Sequence, residues 1–219
     1  MPRKLGQVGY NWQKDTRLEI IVHADTMIRK KGFNAFSYSD ISTIMDIRNA
    51  AIHYYFPTKS SLGRAVMQEE MLRLTSFRRR HALAAIGGED QLKHLVAAFY
   101  YNARAHAICL MGALTPEFAT FDEEMQATVR RLCTAIQEWV ADCLEEARTA
   151  GKLRFEGSAE DRAALVISAL LASLLLSRIE GTELFERMLD RMLEDLGADW
   201  RVRQLEKPEP GTHIYYSFT

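Results

Sequence analysis

Ser37-Tyr38-Ser39-Asp40-Ile41-Ser42-Thr43-Ile44-Met45-Asp46-Ile47-Arg48-Asn49-Ala50-Ala51-Ile52-His53-Tyr54-Tyr55-Phe56-Pro57-Thr58-Lys59 decides how the rest of the chain reads. Ser37 and Asp40 stand three apart, the spacing at which a hydroxyl and a carboxylate satisfy the free amides of a helix start. A short helix is predicted over 38–45. The polar run 46–49 suits a tight turn, and Asn49 is the expected cap of a second short helix over 50–55, which Pro57 ends. Thr58 then caps a long helix running toward Leu83. Ile41, Ile44, Met45, Ile47 and Ile52 form an apolar side, whereas Arg48, Asn49, Ala51, His53 and Tyr54 fall on the other. Two short helices joined by a tight turn, the second exposing polar groups, have the dimensions of a unit that enters the major groove of DNA.

Outward from this stretch the chain keeps a helical period. Upstream, Leu18, Ile21, Val22, Ala24, Met27 and Ile28 predict an amphipathic helix over 15–31 that stops at Gly32, while 1–14 reads as a basic arm whose Arg3, Lys4 and Lys14 are candidate phosphate contacts. Downstream, Gly87 and Gly88 break the chain. Helices are then expected over 90–107, 116–121, 123–150, 159–179 and 183–196, with an irregular tail over 201–219 apart from a short extended run at Ile214-Tyr215-Tyr216. The fold class is all-α, and no metal-ligand grouping or phosphate loop is visible in the spacing.

Hydrophobic residues make up 47% of the 219, enough for a substantial core. The three cysteines are odd in number and widely spaced, and no secretory signal precedes them, which points to a reducing cytoplasm. Cys133 and Cys143 are ten apart on one expected helix, roughly 15 Å along its axis, too far to bridge. The longest apolar run, 163–176, is interrupted by Ser168 and Ser173 and falls short of the roughly 20 residues a bilayer span needs, so no membrane partner is expected. The net charge of −1 conceals an asymmetry. Residues 1–60 hold nine Lys or Arg against five Asp or Glu, so a basic head sits on an acidic body, as suits a polyanionic partner for the head.

Across 18–67 the sequence resembles the TetR-type regulators, on Gly32-Phe33, Asp40-Ile41 and the run Ala51-Ile52-His53-Tyr54-Tyr55-Phe56-Pro57-Thr58-Lys59-Ser60-Ser61-Leu62. That family usually has Gly at the place of Asp46, Ser or Thr at Arg48, and Gly at Ala50. The resemblance implies an N-terminal three-helix DNA-binding domain with a helix-turn-helix, here 15–63. It is followed by a larger helical ligand-binding and dimerisation domain, 64–200, whose last two long helices form a four-helix bundle across a twofold axis. It also implies a homodimer that represses transcription from double-stranded operator DNA and is released by a small-molecule effector, with no cofactor and no catalysis. At matching positions Ser37, Tyr54 and Lys59 are implied to touch phosphate. Arg48, Asn49, Ala51 and His53 would face base edges, where each good pairing is worth about 1–3 kcal/mol of discrimination. His53 stays open between base contact and packing. Phe56 reads as core.

By location, Phe99, Asn102, His106, Cys109, Phe118, Phe121 and Trp139 are candidate ligand contacts, although plain packing describes each of them as well. Cys109 lies one helical turn after His106, which would lower its thiol pKa if the two meet in a partly exposed site. The run Ile108-Cys109-Leu110-Met111-Gly112 resembles a cysteine-bearing helix junction in a subset of the family, some of whose members sense through that thiol. A buried, inert cysteine is the competing reading. Two other classes stay open: a DNA-binding protein without ligand control, and a thiol enzyme using Cys109 and His106, for which no orienting acid is visible.

Overall fold

A computed structural model describes residues 12–205, and every regular element among them is helical. The order is α1 (Trp12–Lys31), α2 (Tyr38–Met45), α3 (Asn49–Tyr55), α4 (Lys59–Leu83), α5 (Gly88–Arg104), α6 (Leu110–Leu114), a 3-10 segment (Thr115–Thr120), α7 (Glu123–Thr149), α8 (Ala159–Glu180), α9 (Thr182–Asp195) and a 3-10 turn (Val202–Gln204). Ile20, Ile21 and Ile28 of α1 close with Ile41, Ile52 and Leu62 over the core of a small head, each wholly buried. In the body, α5 is buried on nearly all sides and packs on α7, α8 and α9. α4 runs unbroken from head to body, packing on both α1 and α7.

Several boundaries differ from the sequence expectation for local reasons. α1 starts at Trp12, inside the expected 1–14 arm; Arg3, Lys4 and the side chain of Lys14 lie outside the described residues. Asn49 is not a cap: it is the first residue of α3, and the extended Arg48 (φ −77, ψ 145) precedes it without a side-chain bond. Ile44, expected on the apolar side, is 56% exposed. α5 ends at Arg104 because the chain turns through a left-handed His106 (φ 52), and α6 was not anticipated. At the tail, Val202 is wholly buried and its N–H donates to Asp190 (2.9 Å), so 202–204 belong to the fold; 214–216 lie outside the described residues.

Two glycines are needed where they stand. Gly32 ends α1 at φ +93, and a Cβ there would lie 2.7 Å from Glu117 Oε1. A Cβ on Gly88 would sit 2.2 Å from the carbonyl oxygen of Cys143, so the start of α5 can press on α7 only with glycine in that place.

α1 and α4 are joined by a buried charge cluster. Arg29 donates to Asp25 (2.8 Å) and pairs with Glu70 (3.1 Å), and all three side chains are sealed from solvent. Arg73, partly exposed, reaches Glu70 at 3.0 Å and Asp25 at 3.4 Å. Burial opposes the Arg29 charge, but Asp25 and Glu70 outweigh it and hold the guanidinium protonated above its ordinary range. The Arg29 carbonyl also accepts from Ile108 N–H (3.1 Å), tying the approach to α6 onto the end of α1.

Candidate functional site

The most sharply built surface lies on the head. Ser37 caps α2: its N–H and hydroxyl both donate to Asp40 Oδ2 at 2.7 Å, and Asp40 N–H returns to the hydroxyl. α2 ends at Asp46, which adopts the left-handed conformation (φ 51, ψ 44) that glycine takes most easily and that Asp is among the few side chains to tolerate. The Tyr38 hydroxyl, donating to the Phe56 carbonyl at 2.8 Å, locks the start of α2 to the end of α3. With Ile52 wholly buried, α3 turns Arg48, Asn49 and His53 outward and leaves Tyr54 75% exposed. Ala51 is half-buried, and His53 sets its ring edge on Tyr38 with centroids 4.7 Å apart. Ser37 is exposed, although its hydroxyl is committed to Asp40.

Lys59 is placed differently from a free surface cation. Its ammonium donates to the carbonyls of Phe36 and Asn34 and lies over the rings of Phe33 (4.9 Å) and Phe36 (4.4 Å). Burial lowers its pKa, against the opposing pull of Glu117 and Asp40. A phosphate would compete with two carbonyls for this group, so Lys59 also braces the 32–36 loop.

That loop is the junction with the body. Asn34 N–H donates to Glu117 (2.9 Å), its side-chain amide donates to Thr120 (3.0 Å), and Phe33 meets Phe121 edge-on at 5.3 Å. Sequence reasoning passed over Asn34 and Glu117, which are 83 residues apart.

The expected ligand contacts are dispersed. Phe121 faces the head, whereas Trp139 is on the α4 side of α7 against Phe77, its indole N–H donating to Gln91 at 3.1 Å. Phe118 is half-buried with Arg130 over its ring (4.8 Å). Phe99 is buried, and so is Asn102, whose amide nitrogen and oxygen have no partner within the described residues. A buried amide left so costs about 1–3 kcal/mol, which makes Asn102 the strongest polar anchor of the set.

His106 and Cys109 do not pair on one helical face. His106 is exposed in the turn after α5, while Cys109 is 1% exposed and caps α6, its Sγ accepting from Gly112 N–H at 3.3 Å. Burial pushes the Cys109 thiol up to about 11, and Cys143 to about 12, the reverse of what a reactive thiol requires. In the folded protein at about pH 8, iodoacetamide should therefore modify half-buried Cys133 before either of the others. Mass spectrometry of native against urea-unfolded protein measures the order, and rapid native labelling of Cys109 would restore the sensor reading.

Residues 88–192 match the family described as "Tetracyclin repressor-like, C-terminal domain". A transcriptional regulator of the TetR family from Agrobacterium tumefaciens superposes with a TM-score of 0.73 at 25% identity, covering 84% of this chain and 98% of that one. A TetR transcriptional regulator from Legionella pneumophila shares the fold with a TM-score of 0.72 at 24% identity, over 87% of this chain and all of that one. An uncharacterised HTH-type transcriptional regulator in the lacX 3′ region of Lactococcus lactis subsp. lactis is 24% identical over 139 residues, 60% of this chain and 69% of that protein.

Proposed function

Because the chain belongs to the TetR family of DNA-binding transcriptional regulators, we propose that it is a cytoplasmic repressor that grips operator DNA as a homodimer and is released by a small effector. One observation carries the DNA half of this reading: with Ile52 buried behind a capped α2, Arg48 just before α3 and Asn49, His53 and Tyr54 on it are all exposed. On this reading 15–63 bind DNA and 64–200 bind ligand and partner. Arg48, Asn49, Ala51 and His53 face base edges, where Arg suits guanine and Asn suits adenine. Ser37, Tyr54 and Lys59 position the head on phosphates, which fixes register without reading sequence.

Release needs only differential affinity: an effector that favours one placement of the heads lowers operator affinity by the ratio of its affinities for the two placements. The junction of Asn34 with Glu117 and Thr120 is where a shift in the body would reach the head. Asn102 offers a donor and an acceptor to an effector in the body.

The test is gel-shift binding of the protein to DNA upstream of its own gene at fixed salt. Asn49→Ala is expected to lose about 1–3 kcal/mol of discrimination at one base pair and leave the others unchanged. Tyr54→Phe should weaken all sequences alike. Unchanged specificity in Asn49→Ala would remove its assigned role, and release by no small molecule from a broad panel would favour a regulator without ligand control.

A further inference from the structure

The last turn of α4, the start of α5 and the distal half of α7 enclose a cleft of about 380 Å³ that the DNA-binding reading does not use. Its apolar wall includes Trp139 and Ile86; its charged wall is Arg78, Asp142 and Glu146. Arg78 is neutralised by Asp142 at 2.8 Å, and among the described residues Glu146 joins no salt bridge, so the wall carries a net negative charge. The C-terminal, negative end of α4's dipole lies at the same place, since Ala82, Ala85 and Ile86 line the cleft.

Most of the hydrogen-bonding capacity has the same polarity. His81, 93% buried, lines the cleft, and its Nδ1 lies 2.9 Å from the Phe77 carbonyl. A carbonyl only accepts, so Nδ1 carries the proton and Nε2, sealed from solvent and without a partner among the described residues, is an acceptor behind the cleft wall. Burial lowers the His81 pKa, which favours this neutral form. Gln91 is largely engaged: one N–H of its amide donates to the Ile86 carbonyl and its Oε1 accepts from Trp139 and Cys143, which leaves the second N–H as a donor. Apart from the paired Arg78 and one amide N–H of Gln91, the cleft offers a ligand the carboxylates of Asp142 and Glu146 and their net negative charge beside Trp139.

We infer that the α4–α5–α7 cleft binds an organic cation with N–H donors on a planar apolar body, as in an aromatic amidine or guanidine. A bare metal ion fits less well, because no group of three His, Cys, Asp or Glu among the described residues is arranged to hold one. The inference deepens the reading that the body takes a small effector and rests on it for its biological sense, but binding itself is measured without DNA.

The probe is benzamidinium, with benzamide as its neutral near-isostere, and the readout is the indole N–H resonance of Trp139, assigned by Trp139→Phe in the full chain. Benzamidinium is expected to shift this resonance saturably and benzamide to leave it in place. Glu146→Gln, a change at an exposed site, should weaken the cation by about three- to fivefold, the size expected for a solvent-exposed ion pair. Asp142→Asn with Glu146→Gln, which leaves Arg78 unpaired, should abolish saturation. Equal shifts with benzamide, no saturable shift, or undiminished binding to the double variant would each overturn the inference. Operator release by the same probe, followed in a gel shift, bears on the effector reading alone.

Discussion

Arg29→Met is expected to lower the free energy of unfolding by about 3–5 kcal/mol, the range for removing one partner of a buried ion pair. The substitution preserves most of the side-chain volume but removes the buried guanidinium that Asp25 and Glu70 share, leaving the partly exposed Arg73 to bridge them. The loss comes mainly from stranded charge, not from the worth of the pair itself. Replacing Asp25 and Glu70 by Leu in the same chain should therefore recover much of it, since well-packed apolar side chains often replace buried ion groups at no net cost. Urea denaturation of the single and triple variants measures both effects. A single variant within about 0.5 kcal/mol of the parent, the usual range for an indifferent surface site, would show that the cluster does not hold α1 to α4.

If the chain pairs as the proposed homodimer, arginine at both Leu176 and Ile179 is expected to leave a monomer and to cost about 100-fold or more in operator affinity, because the second head then binds without the first to hold it near. α8 runs 22 residues, and by length and composition alone it would suffice to cross a bilayer, so the expectation of too short an apolar run is corrected. In the fold it packs on α5, α7 and α9 and keeps an uncovered apolar strip: Leu165 is 60% exposed, Leu176 45% and Ile179 84%, with Met188 of α9 nearby in the same helix pair at 48%. Strips of this kind mark surfaces that associate. A twofold pairing of α8 and α9 would cover it and set two recognition helices about one turn of DNA apart, roughly 34 Å. Sedimentation and gel shift read the two consequences together. A double variant that stays dimeric would move the partner surface elsewhere on the body.

By itself the sequence determined the helical class and almost all of the head. Ser37 with Asp40, Thr58 with Ser61, and Gly32 act within one turn of the backbone they terminate, so their neighbours in sequence suffice to read them. Asp46 stands where glycine is usual, and the chain still makes the left-handed turn there, because the surrounding helices set the conformation and Asp tolerates it. The Asn49 cap failed by a single residue, as helix ends do when neither candidate side chain closes a bond.

What only the tertiary structure decided is where charge and polarity lie once distant segments meet. The Asp25–Arg29 pair has helical spacing and is visible in principle, but Glu70 and Arg73 join it from more than 40 residues away. Lys59 reads as a surface cation until the 32–36 loop folds over it. His106 and Cys109 read as one helical turn until His106 itself turns left-handed and breaks the helix, and burial then raises the thiol that proximity was expected to lower. Local patterns specify which backbone hydrogen bonds form. Desolvation, which sets the charge of a buried group and the reactivity of a thiol, depends on everything packed around it, and that is fixed only when the helices have closed.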